Sequence, residues 1–208
     1  MCTADSSKLR AIYDRFAETY EANRGLFDMS GILEPFFRVL NHPVGRLLDL
    51  GCGAGEPFPR FFLEHGWSVV GVDFSKKMLE LAARYAPGMH TVYDDITEVE
   101  FAPASFDAIT CVYTLFHVPR ARHPALFANF RRWLRPGGKA LFTYATRHYT
   151  GQDEFEGTKE FMGQSLFYSH TTPGNLRTQL ETAGLAVDAF DFREIGGETF
   201  LWATVSNP

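Results

Sequence analysis

A basic surplus, a cysteine motif and a long apolar run are all missing from this chain of 208 residues. Cys2, Cys52 and Cys111 are its only cysteines, odd in number, widely spaced and without a C-x-x-C pair. That pattern offers neither a disulfide framework nor a zinc ligand set, so no metal is expected. No run approaches the ~18–20 apolar residues that a membrane span needs. The first twenty residues mix charges throughout and lack the apolar stretch of a secretory signal. These features predict a soluble protein of a reducing cytoplasm, with no membrane partner. Lys and Arg number 20 against 25 Asp and Glu, a net charge of −5. Gripping a nucleic-acid backbone takes a basic surface, so no nucleic-acid partner is expected. Neither an internal repeat nor a low-complexity linker interrupts the chain, and its length suits a single domain.

What the chain has in excess is aromatic residues: 20 Phe, 8 Tyr and 3 Trp, 15% of the total. Seven of them fall in the 27 residues from 142 to 168. Residues 8–23 and 30–41 carry apolar side chains at the i, i+3, i+4 spacing of amphipathic helices. From Gly45 the texture changes to short apolar runs alternating with helical stretches. Strands are predicted at 46–50, 67–72, 90–93, 106–113 and 139–145, with helices at 57–65, 75–86 and 123–135 between them. Pro136-Gly137-Gly138 reads as the stop after the last of those helices. Such alternation predicts an α/β fold, a doubly wound Rossmann-like sheet with right-handed crossovers. A helix at 173–183 and strands at 185–192 and 199–205 around Gly196-Gly197 close the chain as an antiparallel C-terminal hairpin, making seven strands. Residues 146–172 break the rhythm. The expected organisation is one domain: a helical cap at 1–43, a core at 44–145, an insertion after strand five at 146–172, and a closing helix and strands at 173–208.

The most informative segment is Leu47-Leu48-Asp49-Leu50-Gly51-Cys52-Gly53-Ala54-Gly55-Glu56-Pro57. Glycines directly after a first strand let the chain turn sharply into a helix and let a ligand approach the backbone. Asp73 ends the second strand, where a carboxylate can take both ribose hydroxyls of an adenosine cofactor. A dinucleotide loop calls for G-x-G-x-x-G and a vacant helix start for its pyrophosphate. Here the spacing is G-x-G-x-G, and Glu56 occupies the third dinucleotide position, where its charge would repel pyrophosphate. A ribose-bearing cofactor without phosphate fits better, and S-adenosylmethionine (SAM) meets that description; a nicotinamide dinucleotide is disfavoured.

The blocks LLDLGCGAGEP, GVDFS (71–75), DDITEVEF (94–101), FDAITCVYTLFHV (106–118) and LRPGGKALF (134–142) resemble, in order, the motifs of class I SAM-dependent methyltransferases, in particular the type 11 small-molecule enzymes. The resemblance covers about residues 46–145 and implies a set of roles. Gly51 and Gly53 would pass beneath the methionyl and ribose parts, with Asp49 organising the loop. Asp73 would hold the ribose, Phe74 and Met78 would flank the adenine, and Asp95 with the Ile96 backbone would read its amino group, with Asp94 as the alternative by one residue. Val112 and Tyr113 would meet the methionine portion. In such enzymes an N-terminal segment often closes over the cofactor. Tyr13 and Tyr20 would then approach the methionyl carboxylate, Arg24 would pair with it, and Phe16 would face the substrate; the alternative is a helix that only packs on the sheet.

Methyl transfer from a sulfonium is an in-line displacement, helped mainly by orientation, for which effective molarities reach about 10⁵–10⁸ M. A general base is needed only when the acceptor has an acidic proton to lose. His117, just after the fourth strand, is the first candidate base and His170 the second; each could instead be a packed histidine. Tyr149, Phe167 and Tyr168, with Phe16, His117 and His170, are the expected substrate contacts. The basic cluster Arg120, Arg122, Arg131, Arg132 and Arg135 reads as a solvated helix face, and no N/D/S-P-P-Y/F/W motif of nucleic-acid amino methylation is present. The expected activity is transfer of a methyl group from SAM to an O, N or S atom of a small, largely apolar or aromatic acceptor, releasing S-adenosylhomocysteine, by a monomer or homodimer. The alternatives are a tRNA or protein methyltransferase and a non-catalytic SAM-binding protein.

Overall fold

Strands buried on both faces carry near-continuous apolar runs instead of alternating ones, and three segments here meet that requirement. They are β1 (Arg46–Leu50), β2 (Ser68–Asp73) and β4 (Phe106–Cys111), each buried along almost its whole length. The structure, a computed structural model, describes residues 6–23, 28–40, 42–161 and 163–208, with side chains of the first helix described from residue 9 to 17. The remaining strands are β3 (His90–Tyr93), β5 (Leu134–Tyr144), β6 (Phe155–Phe161), β7 (Gln164–His170), β8 (Ala186–Ile195) and β9 (Glu198–Ser206). The helices are α1 (Ser6–Asn23), α2 (Ser30–Val39), α3 (Phe58–Glu64), α4 (Lys76–Tyr85), α5 (His123–Trp133), the short α6 (Arg147–Thr150) and α7 (Pro173–Thr182). Ser75 caps α4 by accepting from the Met78 N–H at 3.2 Å.

Seven strands form one sheet in the order β3-β2-β1-β4-β5-β9-β8. The first five are parallel, and β9 inserts antiparallel between β5 and β8. All seven strands expected from the sequence are present. The order reverses between β1 and β4, so the loops leaving their C-terminal ends diverge and open a crevice, where doubly wound sheets place their ligands. One face of the sheet packs Phe127, Phe130 and Trp133 of α5 and Leu176 and Leu180 of α7. The other packs Ile32, Leu33 and Phe36 of α2, Phe58 and Phe62 of α3 and Ala82 of α4.

Two local features depart from the sequence reading. Pro136-Gly137-Gly138 does not end the element, because β5 runs through it. The register slips between the pairs Phe106–Leu134 and Ala108–Lys139, absorbing the extra residues. Asn207 pins the bulge: its carbonyl accepts from the Gly137 N–H at 2.6 Å, and its side chain donates to the Leu134 carbonyl at 2.8 Å. The insertion, in turn, is α6 followed by a two-stranded hairpin, with Gly157 opposite Tyr168. Along Phe155–Phe161 only alternate residues are shielded, and that face carries Phe155, Gly157, Lys159 and Phe161. Of the arginine cluster, Arg120, Arg122, Arg132 and Arg135 pair with Glu154, Glu98, Glu100 and Asp107, and the cluster is not a single helix face, since Arg135 belongs to β5.

Trp133 is fully buried and meets Phe101 edge-on at 5.3 Å. Trp133→Ala should lower unfolding free energy by about 3–5 kcal/mol. Urea denaturation that showed a loss below ~1 kcal/mol would mean that α5 can collapse into the space.

Candidate active site

The turn after β1 is tied to the end of β2, since the N–H groups of Gly51 and Cys52 both donate to the Val72 carbonyl, at 2.8 and 3.0 Å. Gly51 lies at φ +77, and a Cβ there would fall 2.1 Å from the Thr114 hydroxyl. Glycine is required on both counts, and the loops after β1 and β4 thereby come into contact. Gly53 also has positive φ, at +51, but nothing lies within 4 Å of where its Cβ would be. Its open side is where a ligand can pass close to backbone. Glu56 pairs with Arg60 at 2.8 Å, and Arg60 also binds Glu64. Its charge is therefore balanced locally, and the glycine spacing is left as the stronger argument against a pyrophosphate.

Two carboxylates lie beneath this loop. Asp49 is buried, and its one described partner is the Thr110 hydroxyl, which donates at 2.6 Å. Burial pushes its pKa up to about 7, with Thr110 opposing and Asp73 adding to the rise. Asp73 accepts from the Gly53 N–H at 2.9 Å and from the Ser75 N–H at 2.8 Å. Burial raises it to about 6 despite those bonds, and the negative charge of Asp14 adds to the effect. Among the described residues neither carboxylate has a cationic partner. A ligand that brings hydroxyl donors and a positive charge would satisfy both. Burial also pushes the Cys52 thiol well up, which fits a packing role and not that of a nucleophile.

Helix α1 lies across the crevice. Ser75 donates its hydroxyl proton to Asp14 at 2.5 Å, and Arg15 donates to Gln164 of β7 at 3.0 Å. Tyr13 sets its ring edge against Phe74 at 5.8 Å and His117 at 5.9 Å, and Phe16 meets Phe161 at 6.1 Å. Met78 packs with Ala17 and Ala54 under the same helix. The side chain of Tyr20 and all of Arg24 lie outside the described residues. Asp95 uses one carboxylate oxygen to accept from the Thr97 N–H and hydroxyl, both at 2.8 Å, and Ile96 is buried beside it. Asp94 is exposed, and its backbone N–H reaches the Asp73 carbonyl at 3.2 Å.

At the end of β4, the Val112 carbonyl accepts from the Thr114 hydroxyl at 3.1 Å. Tyr113 turns at φ +55, and its N–H donates to the Thr143 hydroxyl at 2.6 Å. His117 follows, buried, with Nδ1 2.7 Å from the Phe167 carbonyl. A carbonyl only accepts, so Nδ1 carries the proton and Nε2 keeps its lone pair. Burial lowers the imidazole pKa to about 4, so it is neutral near pH 7. Phe167 thus enters the site through its backbone. Tyr168 sets its ring 4.8 Å from His117 and stacks on Phe116, which in turn stacks on Phe200. Tyr149 joins through its hydroxyl, 3.1 Å from that of Tyr168, and its ring packs on Phe200 at 4.7 Å. His170 does not join this group. Both of its nitrogens are engaged, by the Thr150 hydroxyl at 2.7 Å and the Thr171 carbonyl at 3.2 Å, and its ring lies against Phe155.

Sequence reasoning missed Thr114, Phe116, Thr143, Lys159, Glu198 and Phe200, all of which line or brace this site. Only the Gly196-Gly197 turn before Glu198 hints that a hairpin tip returns to the crevice.

Residues 47–138 match the family model described as a methyltransferase domain. Phosphoethanolamine N-methyltransferase 3 of Arabidopsis thaliana is 36% identical over 107 residues, 49% of this chain and 21% of that protein. The ubiquinone biosynthesis O-methyltransferase of Idiomarina loihiensis is 35% identical over 117 residues, 52% of this chain and 47% of that one. The chain thus spans from about a fifth to about half of the length of these curated relatives. Among solved structures, the Burkholderia thailandensis 1,6-didemethyltoxoflavin-N1-methyltransferase, with bound 1,6-didemethyltoxoflavin and S-adenosylhomocysteine, shares the fold at a TM-score of 0.74 and 20% identity, over 99% of this chain and 91% of that one.

The raised carboxylates predict how stability follows pH. Each is easier to protonate folded than unfolded, so its contribution is complete below the ordinary value of 3.8 and is lost as pH rises through about 6 to 7. Without added ligand, the protein should therefore lose stability between pH 4 and 7, and Asp49→Asn should flatten that slope. Melting curves across this range test it; an unchanged slope in the variant would show that Asp49 is not the buried acid responsible.

Proposed function

Starting from a methyltransferase domain at residues 47–138, we propose that the chain transfers a methyl group from SAM to an O, N or S atom of a small, largely apolar or aromatic acceptor. The observation that carries this reading is the conjunction of an open Gly53 face, two buried carboxylates without a cationic partner among the described residues and a neutral histidine in an aromatic chamber. SAM, when bound, supplies an electrophilic methyl on a sulfonium whose positive charge is lost during transfer. Asp73 would hold the ribose hydroxyls, Asp49 would steady the loop and complement the positive charge, and Phe74, Met78, Asp95 and Ile96 would surround the adenine. The backbone at Val112 and Tyr113 would meet the methionyl part, with Tyr13 closing over it from α1.

His117 stands where an acceptor's proton would leave. Its fixed Nδ1–H leaves Nε2 as the only basic atom, and its low pKa keeps that atom unprotonated. Phe16, Tyr149 and Tyr168 would form the walls around the acceptor, whereas the engaged nitrogens of His170 favour a supporting role for it. The small-molecule names of the relatives agree with a small acceptor, and the ion pairs of Arg120, Arg122, Arg132 and Arg135 neutralise charge that a nucleic-acid site would use.

Calorimetry with S-adenosylhomocysteine and with NAD should show binding of the former only, and Asp73→Ala should weaken it by about tenfold or more. Binding of NAD alone would end the cofactor assignment. In a turnover screen over phenols, amines, thiols and carboxylates, His117→Ala should lower kcat by about 10²–10⁴ while S-adenosylhomocysteine affinity holds. Equal turnover in the variant would remove His117 as the base.

A further inference from the structure

Three fully buried polar side chains, His123, Tyr144 and Ser169, have no part in the methyl-transfer reading above. They converge on the Val118 carbonyl, in the residue directly after His117. That oxygen accepts from the Ser169 hydroxyl at 2.5 Å and from His123 Nε2 at 2.9 Å. His123 opens α5, and its Nδ1 lies 3.2 Å from the hydroxyl of Tyr144, the last residue of β5. The Tyr144 oxygen also accepts from the Thr171 N–H, just past β7, at 3.0 Å. Val118 itself ends the short turn Leu115–His117, closed by the His117 N–H on the Thr114 carbonyl at 2.9 Å and the Val118 N–H on the Leu115 carbonyl at 3.0 Å.

The direction of each hydrogen in this chain is fixed. A carbonyl only accepts, so His123 carries a proton on Nε2, and Ser169 gives its own proton to the same oxygen. Burial lowers the His123 pKa to about 4, with the Val118 and Leu115 carbonyls opposing and His170 adding to the fall. The ring is therefore neutral near pH 7, and Nδ1 accepts from the Tyr144 hydroxyl. Hydrogens thus point from Thr171 N–H to Tyr144, from Tyr144 to His123, and from His123 to Val118. An apolar pair at positions 123 and 144 would fill the core without the desolvation cost of an imidazole and a phenol. What the polar atoms add is a fixed place for one carbonyl.

That carbonyl belongs to the peptide that follows His117, and β7 grips both sides of it. Among the described residues β7 pairs only with β6. Toward the turn it presents the Phe167 carbonyl, which holds the imidazole, and the Ser169 hydroxyl, which holds the peptide. A ring tied only through Nδ1 could still pivot about that bond. Fixing the adjoining backbone removes the pivot, and a reacting group needs such support to keep its aim.

We propose that Ser169, His123 and Tyr144 are positioning residues that lock the Val118 peptide and thereby hold His117 with Nε2 turned toward the acceptor. Docking of the insertion hairpin and placement of the base are then one event, because β7 carries Tyr168 as well as the two groups that hold His117. The inference rests on the reading of His117 as the base.

Nitrogen NMR on the full chain, isotope-labelled at histidine and assigned by the signals lost in His117→Ala, reads this directly. In wild type His117 should carry its proton on Nδ1 and leave Nε2 bare. Ser169→Ala and Tyr144→Phe should each move the His117 tautomer ratio toward Nε2–H by about threefold or more, the effect of losing one hydrogen bond. Ser169→Thr, which keeps the hydroxyl, should hold the wild-type ratio. Trp133→Ala, at the far end of α5, should lower stability and leave the ratio alone. A wild-type proton on Nε2, a ratio unchanged in both Ser169→Ala and Tyr144→Phe, or an equal change in Trp133→Ala would overturn the proposal. Undiminished turnover by His117→Ala in the acceptor screen would instead overturn the base reading beneath it, whatever the NMR shows.

Discussion

Two carboxylates held out of water organise the working end of this protein. Asp49 and Asp73 sit near the C-terminal ends of the neighbouring parallel strands β1 and β2, beside the point between β1 and β4 where the sheet order reverses. Neither has a cation among the described residues, and each carries a pKa raised by burial. Such groups are costly to keep in an ordinary core, and here the cost is tolerated because the surrounding backbone is arranged around them. Gly53 and Ser75 turn their N–H groups onto Asp73, and Thr110 gives its proton to Asp49. Much of the loop geometry, from the positive φ of Gly53 to the cap of α4, follows from serving these two side chains.

Above that floor, the chamber is closed by segments far apart in the chain. Tyr13 comes from the first helix, His117 from the turn after β4, Tyr149 and Tyr168 from the insertion, and Phe200 from the last strand. Their rings pack edge-to-face and stacked, geometries that aromatic quadrupoles favour. The excess of aromatic residues is thus divided. Phe127, Phe130, Trp133 and Phe142 fill the core beneath α5, while Tyr149, Phe155, Phe161 and Tyr168 of the insertion gather with Phe200 of β9 at the crevice.

The seven-stranded sheet was legible because buried parallel strands and amphipathic helices have different periods, and because LLDLGCGAG and Asp73 stand at the ends of such strands. The hairpin Phe155–His170 was not. Its β6 half, FEGTKEF, alternates around small and charged residues, and neither strand joins the main sheet, so only contacts with Phe116 and Phe16 reveal which face is inward. Pro136-Gly137-Gly138 misled for a related reason. Locally it is a breaker, but Asn207, seventy residues later, holds it in the sheet.

The sequence by itself determined the order of elements, the glycine loop, the acidic end of β2 and the histidine after β4, because each depends on local propensity or on a short, fixed spacing. Only the tertiary structure decided that Nε2 and not Nδ1 of His117 is the free atom, that His170 is locked into packing, and that Phe200 packs against Tyr149. Those outcomes depend on a hydrogen-bond partner fifty residues away for His117 and on the return of the last strand for Phe200. No local pattern encodes which lone pair will be left over once distant groups have taken theirs.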